Sequence, residues 1–222
     1  MLLVACGGSS ETKPDRVLAP CSAPHPVRTG QATHYDADGT GKCSFEASDD
    51  LLVAAMNSTD YERAAWCGAC LIVTGPDDEI IVRVVDKCPG CKPGDLDLSH
   101  EAFAMLAPLS AGRIPITWLS VPCEVAGPIA YRFKARSNAY WTGIQLRNHR
   151  YPIASLEARD PAGNYRGITR ADYNYFVTTK GLGPGPYTFR VTDTRGHILE
   201  DTGVVLGDAV ARTGAAQFPF CP

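Results

Sequence analysis

"CGACLIVTGPDDEIIVRVVDKCPGC", residues 67 to 91, carries two C-x-x-C pairs with seventeen residues between them, the spacing at which a zinc ribbon presents four thiolates. Between the pairs, Leu71 to Thr74 and Ile80 to Val85 read as apolar β runs joined by a Gly-Pro-Asp-Asp turn. Such a hairpin is expected to bring both pairs to one end. Zinc and disulfides are therefore both open locally, and the rest of the chain has to separate them.

The first ten residues, "MLLVACGGSS", have the short apolar run and small residues of a signal-peptide tail and resemble a lipobox, in which Cys6 would be acylated. Export on this pattern ends at a surface or outside the cell. Of the nine cysteines, Cys21, Cys43, Cys67, Cys70, Cys88, Cys91, Cys123 and Cys221 then remain, an even set in a compartment where disulfides persist. Zinc would leave Cys21, Cys43, Cys123 and Cys221 still needing partners, so compartment and parity favour disulfides and no metal. The 222 residues are 45% apolar and 20% charged with net charge −3. That is a globular composition with no basic field to hold nucleic acid or an acidic surface. A neutral partner fits it better.

Residues 7 to 29 hold four prolines and little apolar periodicity and read as a tether. Short strands with one or two helices follow: "SDDLLVAAMN" is expected to start a helix at Ser48, and "SHEAFAMLA" at Ser99. A further strand runs from Ile116 to Val121. "EVAGPIA", residues 124 to 130, is the expected junction between two units. Beyond it, runs such as "YRFKA", "IASLEARD" and "YTFRVTD", broken by "DPAGN", "GLGPGP" and "DTRG", have the rhythm of a β-sandwich. The expected division is 1–29 remnant and tether, 30–124 first domain, 128–221 second domain.

Candidate chemistry lies in both units. "VVDKCPGCKPGDLDLS" packs Asp86, Asp95 and Asp97 around a tight loop. Asp97, between Leu96 and Leu98, should point away from both leucines; either Asp95 or Asp97 could instead order the turn and the Ser99 helix. Glycoside hydrolysis needs a second carboxylate, for which Asp36 or Asp38 in the loop-like "ATHYDADGTG" is the early candidate. In "NAYWTGIQLRNHRYP", alternation puts Ile144 and Leu146 on one face and Trp141, Gly143, Gln145 and Arg147 on the other. A tryptophan among polar neighbours marks a binding face whose ring would stack on a sugar. Strict alternation turns Tyr140 inward unless the strand begins after it, and leaves Tyr173 and Tyr175 undecided. The histidines show no metal spacing, and neither a phosphate loop nor a serine nucleophile elbow is present.

"GQATHYD", "CGAC", "VVDKCPGCKPGDLDLSHEAF" and "PITWLSVPC", followed in order by "YRFKARSNAYWTGIQLRNHRYPI", "ADYNYFV" and "YTFRVTDTRG", resemble a bacterial expansin of the cysteine-rich subset over nearly all of residues 29 to 220. The resemblance implies a mainly β protein, a six-stranded double-psi β-barrel related to family-45 endoglucanases followed by an immunoglobulin-like carbohydrate-binding β-sandwich. By the same resemblance Thr33, Asp97 and Asp86 are groove residues, and Tyr140, Trp141 and Tyr173 with Lys134 form the cellulose-binding row; Tyr35, within "GQATHYD", joins the substrate-binding set. Cys88 stands where some bacterial members have a groove tyrosine. The implied disulfides are Cys43–Cys67, Cys70–Cys123 and Cys88–Cys91, which leaves Cys21–Cys221 as the remaining pair. The implied activity is non-hydrolytic wall loosening by a secreted or surface-attached monomer on cellulose and other neutral glucans, without a cofactor and with membrane attachment only through Cys6. The alternatives are a weak endoglucanase or lytic transglycosylase using Asp97 with Asp36, and a purely carbohydrate-binding surface protein.

Overall fold

The computed structural model describes residues 26–221. The acylation of Cys6, the pairing Cys21–Cys221 and most of the expected tether lie outside the described residues. Six strands close into a barrel: β1 (Arg28–Tyr35), β2 (Val53–Asn57), β3 (Cys70–Thr74), β4 (Glu79–Cys88), β5 (Leu96–Ser99) and β6 (Ile114–Val121), in the order β1-β5-β2-β4-β3-β6. β1 runs parallel to β5 and β2 to β4, and the other neighbours are antiparallel. Leu71, Val73, Val82, Val84, Leu96, Leu98 and Trp118 fill the interior. Between β5 and β6, the helix α1 (His100–Leu106) starts where the Ser99 hydroxyl accepts the Ala102 N–H at 3.1 Å, as the sequence led us to expect.

Three expectations are corrected. No helix starts at Ser48: its hydroxyl accepts the Asp50 N–H in a local turn, and Val53–Asn57 is the strand β2, every residue of it buried. Ala54 and Met56 face the barrel core while Val53 packs with Ala37, Val85, Tyr35 and Phe45 on the outside. A strand covered on both faces is a continuous apolar run, which periodicity does not separate from a helix. Second, the hairpin does not bring the two C-x-x-C pairs together. Cys70 sits opposite Arg83, and β4 overruns it to Cys88, about 17 Å further on at ~3.3 Å per residue. Third, β1 begins at Arg28 inside the expected tether, because Arg28 and Thr29 pair through their backbones with Trp118 and Thr117 while their side chains stay exposed.

The second unit stacks a four-stranded antiparallel sheet on a five-stranded one. The first holds β9 (Ile153–Arg159), β10 (Tyr165–Gly167), β13 (Tyr187–Asp193) and β14 (Ile198–Val204); the second holds β7 (Ala130–Phe133), β8 (Thr142–Arg147), β11 (Thr169–Arg170), β12 (Phe176–Thr178) and β15 (Ala211–Thr213). Alternation puts Tyr131, Phe133, Ile144, Leu146, Phe189 and Val191 between the sheets.

The outer face of β8 is buried too, and there the two units meet. Gln145 donates to the carbonyls of Cys43 (2.8 Å) and Ser44 (3.2 Å), and Asn174 donates to the Cys43 carbonyl at 3.2 Å. Glu46 takes Arg147 at 2.5 Å and Arg132 at 3.0 Å, and the Tyr61 hydroxyl donates to the Asp172 carbonyl at 3.1 Å. His149 abuts Gly68 so closely that a Cβ there would stand 2.9 Å from Nε2. Its Nδ1 lies 2.7 Å from the Tyr151 carbonyl, an atom that only accepts, so Nδ1 carries the proton.

Removing Gln145 leaves the Cys43 carbonyl with Asn174 alone and takes the side-chain donor from the half-buried Ser44 carbonyl, so Gln145→Ala should lower stability by about 1–2 kcal/mol in urea unfolding. Burial, with Arg83 and Arg170 adding to it, pushes the His149 pKa down to about 4. The unfolded histidine, near 6.5, takes up the proton first. The stability tied to neutral His149 is therefore whole above about pH 6.5, lost as pH falls through 4, and worth roughly 3 kcal/mol. His149→Asn should flatten that stretch of the stability–pH curve.

Candidate functional site

The barrel groove is built on the parallel β1–β5 pair. Thr33 stands opposite Asp97 in register, and its hydroxyl donates to the Asp97 carboxylate at 2.5 Å. Asp97 points out of the barrel because Leu96 and Leu98 on either side are fully buried in it. Asp95 is the residue that orders the turn: it accepts the N–H groups of Gln31 (2.7 Å) and Lys92 (3.2 Å).

Asp86 reaches the groove through a bulge. Along β4, Ile80, Val82 and Val84 face inward, so regular alternation would send Asp86 into the core. The pairing with β2 skips Val85, from Ala54↔Val84 to Ala55↔Asp86, which turns Asp86 outward. Its carboxylate then accepts the N–H groups of Lys42 (2.6 Å) and Lys87 (2.7 Å). Tyr35 lies nearby with its hydroxyl buried and without a hydrogen-bond partner among the described residues. Burial first, and then the charges of Asp86, Asp97 and Asp38, raise its pKa well above the usual phenol value. Tyr35 thus keeps its proton and is a donor without an acceptor. Asp36 is exposed beyond the end of β1, and Asp38 closes a turn by accepting the Thr40 N–H and hydroxyl.

The second site is the outer face of the five-stranded sheet, beside the area that Gln145 docks on the barrel. Trp141 lies against Gly143, where an added Cβ would stand 3.1 Å from its ring and 3.2 Å from the Lys134 Cβ. Lys134 extends from that face to within 5.6 Å of the Tyr173 ring centre and 4.7 Å of the Tyr175 ring centre. Lys134, Trp141 and Tyr173 thus share one surface, whereas Tyr175 is buried. Tyr140 does not turn inward: β8 begins at Thr142, and Tyr140 is 83% exposed on the preceding turn. Asn138 makes that turn by accepting the N–H groups of Tyr140 (2.8 Å) and Trp141 (3.1 Å).

Lys42 connects the sites. Its N–H binds Asp86, and its ammonium pairs with Asp172 at 3.2 Å, next to Tyr173. Sequence reading put Gly143 on the Trp141 face but missed Lys42 and Asn138; of these two, only Asn138, a turn former just before the aromatic pair, left a local signal.

Disulfides join Cys43–Cys67, Cys70–Cys123 and Cys88–Cys91, so these six cysteines offer no thiolate to zinc. Among the described residues no three metal-ligating side chains gather.

The profile of a family described as "Lytic transglycolase" matches residues 29–118. Expansin-YoaJ of Bacillus subtilis (strain 168) is 37% identical over 179 residues, 77% of this chain and 76% of that protein. Expansin-like protein 3 of Dictyostelium discoideum is 26% identical over 186 residues, 78% of this chain and 55% of that one. Among solved structures, the apo expansin of Clavibacter michiganensis matches with TM-score 0.81 at 34% identity, over 89% of this chain and 100% of that one. An aspartate-to-asparagine mutant of the Clavibacter expansin, in complex with cellohexaose, matches with TM-score 0.82.

The flatness of Trp141 depends on the missing side chain at Gly143. Gly143→Ala should tilt the ring and weaken retention on insoluble polysaccharide about threefold to tenfold, with the melting temperature little changed. Depletion binding and a thermal scan check the two halves.

Proposed function

The chain belongs to the expansin family, and from that premise we propose that it loosens cellulose-containing walls by binding glucan and separating non-covalent contacts between chains, without hydrolysis. The observation that carries this reading is the run of side chains from Thr33 and Asp97 through Asp86, Lys42 and Asp172 to Tyr173, Lys134 and Trp141. It crosses from a groove of hydrogen-bonding groups to an aromatic platform. The cellohexaose complex of the Clavibacter relative supports a β-glucan as the ligand.

In this reading Tyr140, Trp141 and Tyr173 stack on the flat C–H faces of a glucan while Lys134 takes hydroxyls beside them. The groove grips a neighbouring chain through Asp97, which accepts from sugar hydroxyls with the oxygen that Thr33 does not occupy, while Tyr35, its hydroxyl buried, offers the half-exposed part of its ring. Asp86 holds the Lys42 loop and so sets the distance between groove and platform. Hydrolysis by the usual route would need a second carboxyl group across the bond from Asp97. Asp36, exposed past the end of β1, gives that role little support.

The finer features go with this reading: domains at 30–124 and 128–221, a monomer acting outside the cytoplasm on neutral glucans, and a 1–29 segment that carries a lipid on Cys6 and spaces the folded part from a membrane. The three disulfides suit an oxidising compartment.

With filter paper, the protein should bind and weaken the sheet without releasing reducing sugar. Asp97→Ala should abolish weakening with binding retained, and Trp141→Ala should lower binding about tenfold. Reducing-sugar release lost in both Asp97→Ala and Asp36→Ala would make the chain a glycosidase instead. Weakening untouched by Asp97→Ala would leave a binding protein with an inert barrel.

A further inference from the structure

The three disulfides of the described residues sit in different surroundings. Cys43–Cys67 and Cys70–Cys123 are buried, with no cysteine of the four more than 6% exposed, and they close spans of 24 and 53 residues. Cys88–Cys91 closes a span of three; both of its cysteines are half-buried, and Pro89 and Gly90 between them are exposed. Cys88 and Cys91 line a cleft of about 470 Å³ together with Thr33, Lys92, Asp95 and Arg113. Thr33 is the side chain that holds Asp97.

Thiol–disulfide exchange needs access to a sulfur and a place for the departing thiolate. Access exists here and is closed at the two buried bonds. A thiolate released at this site meets positive charge, since Lys92 and Arg113 line the cleft. The carboxylate in the cleft, Asp95, is already engaged by Gln31, Lys92 and Arg113. A bond across three residues also removes little chain entropy from the unfolded state, so opening it costs the barrel less than opening the span of 53.

The bond closes the near end of the groove wall. The far end is fixed independently: the Gly94 N–H donates to Asp60 at 2.8 Å, the Gly94 carbonyl accepts from Trp118 at 2.7 Å, and Gly94 packs against Gly30 with no room for a Cβ. Cys88 ends β4, paired with Asn57 of β2; beyond it the loop is held by the disulfide and by a turn bond from the Cys91 N–H to the Cys88 carbonyl at 3.3 Å.

We propose that Cys88–Cys91 is a selectively reducible disulfide: a dithiol reductant opens it in the folded protein and frees the groove wall at 89–93 while the barrel stays closed. A thiolate of the reductant attacks one sulfur and expels the other cysteine as thiolate. The second thiol of the reductant then resolves the mixed disulfide. Cys88 and Cys91 gain two electrons and two protons, and the dithiol ends as its own disulfide. If the groove grips glucan as proposed above, on which this last step rests, reduction weakens that grip and leaves the aromatic platform alone.

The full chain is treated natively with graded dithiothreitol, quenched with a maleimide, mapped by peptide mass, and followed in parallel by hydrogen exchange. Cys88 and Cys91 should label together, about tenfold or more ahead of Cys43, Cys67, Cys70 and Cys123, with exchange rising at residues 90–92 and not in β1–β6. In the filter-paper assay the reduced, alkylated protein should lose weakening several-fold while binding stays within about twofold. Labelling of all six cysteines together, or of none before unfolding, overturns the proposal, and so does unchanged exchange at residues 90–92. Weakening that survives reduction overturns the effect on grip. If the oxidised protein does not weaken paper, the functional reading fails, while labelling and exchange still decide the site.

Discussion

Thr33 and Asp97 are 64 residues apart in the chain and meet because β1 lies parallel to β5 with Ala32 against Leu96 and His34 against Leu98. Parallel neighbours need a long crossover, and here β2, β3 and β4 supply it, so the acid is placed only when the whole barrel has closed. The close approach of Gly30 to Gly94 lets the chain enter this pairing: a Cβ on Gly30 would stand 2.2 Å from the Gly94 carbonyl oxygen. Register is then enforced by the core. A slip of one residue would push Asp97 inward and expose Leu96 and Leu98, so the burial that stabilises the barrel also aims its acid.

A second constraint joins the groove to the platform. Cys43 is bonded to Cys67 through sulfur, and its carbonyl accepts from Gln145 and Asn174 of the sandwich. A residue already fixed by a covalent link within the barrel is thus the one that receives the second unit. Gln145 and Gly143 share one face of β8, so the strand that presents Trp141 also docks on the barrel. Two sites held at a set distance raise each other's effective concentration for a common polymer. Neither needs high affinity alone.

Such a design suits a ligand that is long, neutral and flat. Stacking on aromatic faces tolerates sliding along a polymer, whereas a hydrogen-bonding pair such as Thr33 and Asp97 asks for particular hydroxyl positions. The tension between a tolerant platform and a demanding groove is a physical means of pulling one chain out of line with its neighbours. It requires no covalent step, which accords with the exposed setting of Asp36. The net charge of −3 agrees with a partner that is not gathered by long-range electrostatics.

Much of this was legible in the sequence because it rests on local chemistry. Leu71–Thr74 and Ile80–Val85 are apolar runs bounded by turn formers; Ser99 caps a helix whichever way the barrel closes; cysteine parity points away from zinc. Alternation around Asp97 and across Ile144 to Arg147 also survived folding, since a strand's two faces are set by its backbone. What the sequence left undetermined depended on neighbours far along the chain. The run after Ser48 is a strand because β4 and β5 flank it and cover both of its faces. Asp86 leaves the core because β2 skips Val85. Tyr140 faces solvent because Asn138 turns the chain before β8 begins, and Lys42 joins the two sites only once the sandwich has docked. Short-range pattern determined which segments are strands and which residues could carry chemistry; long-range pairing, which no local pattern encodes, decided which of those residues share a surface.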